Sequence, residues 1–196
     1  MLLNHNTMSG TKYQKGALAD YSATYLNVAA EYLFDLSTLL QGYTSDRKWS
    51  IGLGAGPVFT TRLARDDSKG MSSTVTGRRA FGGQVSIPVT YAFNEQWGLS
   101  LEPRGRMFAA SFSSRDLSDY PTVLLNTQMG VKYTFNDRTL QVLPEDAEDK
   151  EGYDFVSFNI GSQYETGTGL SLGSTSGIQF GAGIGRWVNS LLGFRL

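Results

Sequence analysis

The sequence has no cysteine, one histidine and only five prolines in 196 residues. Without cysteine there is no disulfide framework, thiolate metal site or thiol nucleophile, and a periplasmic or surface location is permitted. A Ser/His/Asp hydrolase would have to use His5, which sits in Asn4-His5-Asn6 near the start of the chain and reads as a surface histidine. Any metal site would be confined to carboxylates; Asp66-Asp67 and the acidic run 145–151 could bind Ca²⁺ weakly but read as solvated loops. No run approaches 18 consecutive apolar residues, which excludes a transmembrane helix. The balance of 17 basic and 18 acidic residues, a net charge of −1, carries no nucleic-acid footprint. The opening MLLNHNTMSG lacks a basic segment, an apolar stretch and a small-residue cleavage site, so it does not read as a signal peptide. The glycine-rich stretches 52–56 and 181–185 have no following helix and no Lys-Ser/Thr pair, so they are not phosphate cradles.

What the chain does have is a period of two. Apolar and polar or small residues alternate over 25–34, 49–59, 84–94, 97–107, 123–135, 156–164 and 178–187. Along 97–107, Trp97, Leu99, Leu101, Pro103, Gly105 and Met107 share one face, and Gly98, Ser100, Glu102, Arg104 and Arg106 share the other. A short eighth segment, 191–196, ends the chain. Glycine is abundant at 23 residues and aromatic residues reach 12%. Eight tilted strands of roughly 9–11 residues fit the length. The fold class expected is all-β: a closed antiparallel up-and-down transmembrane barrel of about eight strands, forming one domain over 1–196.

The connections alternate in length. Residues 94–96 and Asn189-Ser190 read as tight turns, and 34–48 as a moderate link with room for one helical turn. Longer polar loops are expected at 8–21, 64–79, 112–121 and 165–176, where recognition would reside. The acidic linker 136–152 falls on the tight-turn side. The count closes at eight only if 191–196 and the N-terminal segment occupy one strand position. Residues 153–196 followed by 1–135 then read as one barrel, the pattern of a cut, tandem or permuted frame.

The polar face carries full charges: Glu31, Glu102, Arg104, Arg106, Lys132 and Arg195, beside Gln128, Gln163 and Gln179. In an eight-stranded barrel the interior is just wide enough for side chains. Charges placed there must be paired, so a Glu/Arg/Lys network that plugs the lumen is expected. Inward glycines at 52, 54, 56, 181, 183 and 185 leave room for the long side chains opposite. Trp49, Tyr91, Phe93, Trp97, Tyr133 and Phe135 lie at strand ends near the tight turns and are expected to form an interfacial girdle.

Four segments carry a family resemblance: YLNVAAEYLFDLSTLLQGY, RKWSIGLGAGPVF, WGLSLEPRGRMF and MGVKYTF. They resemble the small outer-membrane β-barrel proteins of the Bacteroidetes, the OmpA-like barrel group, over residues 21–196. MGVKYTF also resembles the C-terminal signature read by the barrel-insertion machinery, here in mid-chain. The resemblance implies the outer membrane of a Gram-negative bacterium, with the lipid bilayer, the insertion machinery and other envelope proteins as partners. It implies no cofactor, metal or catalytic residue; the protein is expected not to be an enzyme but a barrel with a structural or docking role. Two alternatives are a soluble or periplasmic lipocalin-like barrel around a small apolar ligand, and a narrow pore. The direction of the apolar face separates the first alternative from a membrane barrel.

Overall fold

The structure, a computed structural model, describes residues 2–14, 17–43, 47–67, 79–108, 122–135, 152–166 and 175–196. For residues 2–14, 17–23, 62, 64–67, 122, 165–166 and 175–176 it describes the backbone alone. The elements in chain order are β1 (Leu2–Gln14), β2 (Ala17–Ala29), β3 (Glu31–Asp35), α1 (Leu36–Gln41), β4 (Trp49–Asp67), β5 (Arg79–Ser86), β6 (Val89–Ala92), β7 (Trp97–Phe108), β8 (Thr122–Thr134), β9 (Tyr153–Thr166), β10 (Thr175–Trp187) and β11 (Leu192–Arg195).

These strands fill eight positions of a closed antiparallel up-and-down barrel. β2 and β3 form one position, interrupted at Ala30, whose N–H donates to the Pro57 carbonyl at 3.1 Å. β5 and β6 form another, broken at Ile87-Pro88, where proline has no N–H to give the ladder. The last is shared by the two ends of the chain. β11 pairs with β10 and β3 (Arg195↔Gly185, Arg195↔Glu31), and β1 pairs with β10 and β2 (Leu3↔Ala182, Leu2↔Ala29). Leu196 exchanges both backbone bonds with Ile184, at 2.8 and 3.1 Å. The register therefore runs from one segment into the other, as the strand count requires.

The described tight turns share one design. The Asn94 carboxamide oxygen accepts the N–H groups of Gln96 (3.0 Å) and Trp97 (2.7 Å), and that of Asn189 accepts those of Leu191 (2.9 Å) and Leu192 (2.8 Å). Such Asx turns satisfy backbone donors that the strands leave open. The same rim carries α1. Asp35 caps it by accepting from Thr38 N at 3.0 Å, and Gly42 ends it at φ +75°, a conformation glycine adopts without steric cost.

The loop expected at 8–21 is a correction. Leu2↔Ala29 through Gln14↔Ala17 pair without a break, leaving only residues 15–16 between β1 and β2. The polar segments 64–67, 165–166 and 175–176, also expected in loops, are strand. Their alternation is faint because both faces there carry polar residues, so period alone does not mark them. The remainder of the expected loops (68–78, 112–121, 167–174) and the acidic linker over 136–151 lie outside the described residues. So do the side chains of His5, Asp66 and Asp67.

Inward glycines set how closely walls and contents approach. A Cβ at Gly161 would lie 2.8 Å from Gln128 Cα and closer still to the Thr127 carbonyl, whereas a Cβ at outward Gly83 meets nothing within 4 Å. Gly161→Val is expected to destabilise the barrel by about 1–3 kcal/mol through overpacking. Gly83→Val is expected to be neutral or stabilising, since it replaces a flexible strand glycine. Chemical unfolding of the two variants in parallel checks the contrast; equal losses would overturn it.

Candidate functional site

Along β7 the inward residues run from the short-turn rim as Gly98, Ser100, Glu102, Arg104, Arg106 and Phe108, all buried. Glu102 and Arg104 meet two residues from the far wall. β11 lies four positions from β7 in either direction round the barrel, so Arg195 faces them across the lumen.

The Arg195 guanidinium binds two carboxylates at once. Its Nη1 and Nη2 donate to Glu102 Oε2 (2.7 Å) and Oε1 (2.6 Å), a bidentate fork. Its Nε donates to Glu31 Oε2 at 2.8 Å, and Nη2 also bonds Glu31. Arg104 donates to Glu102 Oε1 through Nη2 (2.5 Å) and Nε (3.2 Å), and its Nη2 lies 3.8 Å from Glu31. The Ser86 hydroxyl completes Glu31 by donating to Oε1 at 3.2 Å. All four charged residues are buried, at 1–5% exposure. Each carboxylate oxygen has a donor, the condition on which buried ions survive desolvation.

Beyond this cluster lies a layer of amides. Arg106 Nε donates to Gln84 Oε1 at 3.0 Å, and Asn126 Nδ2 to Gln179 Oε1 at 2.7 Å. Gln128 and Gln163 are buried in the same interior. Tyr25, Ala29, Val58, Ala80, Phe108 and Leu124 then form an apolar cluster, with Thr60 donating to Asn27 at 2.7 Å beside it.

On the short-turn side the lumen holds a chamber of about 90 Å³, bounded by Glu102 and Arg195 and reached by Thr38 of α1. Lys132 lies here. Its Nζ sits 4.2 Å from the Phe155 ring centroid, 5.6 Å from that of Tyr153 and 5.7 Å from that of Trp187, a cation among three aromatic faces. It stands opposite Gly98 and Ser157 in the ladder.

Of the six expected lumenal charges, Glu31, Glu102, Arg104 and Arg195 therefore form one cluster. Arg106 lies beyond it, and Lys132 lies in the chamber. The aromatic set occupies the short-turn rim in two chains of ring contacts: Trp49–Tyr91 (4.7 Å) and Tyr91–Phe93 (5.5 Å), then Trp97–Tyr133 (4.7 Å) and Tyr133–Phe135 (5.2 Å). Sequence reasoning missed Tyr153 and Phe155 as partners of Lys132, and the apolar cluster as a lumenal layer. Extending the 156–164 alternation back by three residues puts Phe155 and Tyr153 in step with Ser157, but an inward face expected to be polar made an aromatic there easy to pass over. The chain matches no protein-family model, no curated protein and no solved structure.

Glu102→Gln would leave Arg104 and Arg195 short of one negative charge in a buried interior. It is expected to destabilise the barrel by about 3–5 kcal/mol. Glu102→Gln combined with Arg195→Met is expected to cost less than the sum of the two single changes, because the pair is removed together. A double-mutant cycle by equilibrium unfolding measures the coupling, and simple additivity would refute it.

Proposed function

We propose that the protein is an outer-membrane β-barrel of a Gram-negative bacterium, with a structural or docking role and a lumen closed by the Glu31/Glu102/Arg104/Arg195 cluster, carrying out no catalysis. The observation that supports this most is the direction of the two faces. Ile51, Leu53, Val85, Ile87, Leu99 and Leu101 all point outward and are exposed, while the buried charges point inward. Continuous exposed apolar surface on this scale is an aggregation hazard in water and a natural surface in lipid. From Trp97 to Met107 the outward face of β7 stays free of charge. At about 3.3 Å per residue and a tilt of about 40° that stretch is roughly 25 Å tall, the height of a lipid-facing band.

The remaining features agree with this reading. No helix among the described residues is long and apolar enough to cross a membrane, which leaves the strands to do so. The rim aromatics fit the headgroup level, and the exposed Leu39 and Leu40 of α1 lie at that rim. The partners that follow are the lipid bilayer and the barrel-insertion machinery, with other envelope proteins reached through the loops. A lipocalin-like carrier needs an apolar cavity inside and a polar outer wall. Here the lumen holds ions and amides, so that alternative has less support. A narrow pore would need the ionic cluster to part.

Leu101→Arg separates the readings. In a bilayer an outward arginine near mid-height costs about 2–4 kcal/mol, whereas on a water-exposed wall it stays within about 0.5 kcal/mol. Refolding wild type and variant into phosphatidylcholine vesicles, followed by unfolding titration, is expected to show the larger loss. A detergent-free, monodisperse wild-type monomer would sink the membrane reading. Planar-bilayer recordings are expected to show no steady open conductance.

A further inference from the structure

Five charged side chains are buried among the described residues: two carboxylates, Glu31 and Glu102, and three guanidinium groups, Arg104, Arg106 and Arg195. Every carboxylate oxygen is engaged by Arg104, Arg195 or Ser86. Arg106 is left over. It is 1% exposed, and among the described residues its side chain makes one hydrogen bond, from Nε to Gln84 Oε1. Its Nη1 and Nη2 are buried without a partner, as are Arg104 Nη1 and Gln84 Nε2.

These four groups share a locality; the unpartnered amide oxygens among the described residues are Asn126 Oδ1, on the cross-strand neighbour of Arg104, and Gln128 Oε1. Arg104 and Arg106 sit two residues apart on one face of β7, roughly 7 Å along the strand. Gln84 is the cross-strand partner of Arg106, and their hydrogen bond holds the free Nε2 beside the guanidinium. All four are donors. Water could accept from them but would leave a unit charge uncompensated in the interior, which is costly. We propose that the lumen holds one small monovalent anion of the halide class, bound by Arg106 Nη1 and Nη2 with Gln84 Nε2 and Arg104 Nη1. The anion supplies the counter-charge that Arg106 lacks among the buried side chains of the described residues, where three guanidinium groups face two carboxylates.

Halide dependence of stability tests this. Thermal unfolding in a non-ionic detergent is compared in sodium chloride and sodium gluconate at equal ionic strength, so that screening is constant. With chloride at 100 times its dissociation constant, the folded-to-unfolded ratio is expected to rise about 100-fold over gluconate. Arg106→Met is expected to abolish that difference. Crystals grown in sodium bromide give a readout that needs no variant: an anomalous peak within hydrogen-bond distance of Arg106 Nη1 and Nη2. Equal wild-type stability in the two salts, a salt difference that persists in Arg106→Met, or an anomalous map empty at Arg106 would each overturn the proposal. Glu165 shares the register row of Arg106 through Leu124. Wild-type indifference to chloride together with a large loss in Glu165→Gln would assign the counter-charge to that residue instead.

Discussion

The structure turns on the contact between Arg195 and Glu102. It spans the barrel from one wall to the other, and Glu31 and Arg104 attach to it from either side. An eight-position barrel whose outer wall is apolar has to keep its polarity inside, where no bulk water solvates it. Only ions that neutralise one another with near-complete hydrogen bonding are tolerated there. Gly54 follows from that demand, since a side chain there would meet Ser86 and the Glu31 carboxylate and compete with the cluster for the same volume, whereas Gly56 and Gly161 lie against neighbouring backbone, at Ala30 and Glu31 and at Thr127 and Gln128.

The lumen grades along its length. Cation and rings share a small chamber at the short-turn end, ions occupy the middle, amides follow, and an apolar cluster ends the described interior. Each layer matches what it can reach. The chamber lies beside the turns and α1, so the flexible Lys132 stem finds ring faces there.

Much of this was legible in the chain. A period of two separates the faces and puts Glu102, Arg104 and Arg106 in step with Gly98 and Ser100, while which face turns inward stays open between a membrane barrel and a lipocalin-like one. Asn94 and Asn189 marked the turns, and the fit of 191–196 with the N-terminal segment marked the shared strand position. What period could not supply was pairing. Six charges on one face do not say which carboxylate meets which guanidinium, because that depends on which strands stand opposite across the lumen. The β1–β2 hairpin was hidden for a related reason: outside an apolar band nothing forces the outward residues to be hydrophobic. Tyr153 and Phe155 were passed over because an inward face was expected to be polar, while ring faces can also serve a cation.

The separation of the cluster in sequence has a kinetic meaning. Glu31 and Arg195 are 164 residues apart, and Glu102 and Arg195 are 93 apart. The Glu31–Arg195 contact cannot exist in a half-wound sheet, since it requires β11 to be seated between β10 and β3. Neighbouring hairpins can zip from local turns, but the complete cluster, Glu31 included, forms only as the wall closes. Interactions absent from a transition state slow escape from the native state without hastening arrival. The ions at the centre of this barrel therefore act as a latch, set last and released first, and they govern how long the closed form lasts more than how fast it is reached.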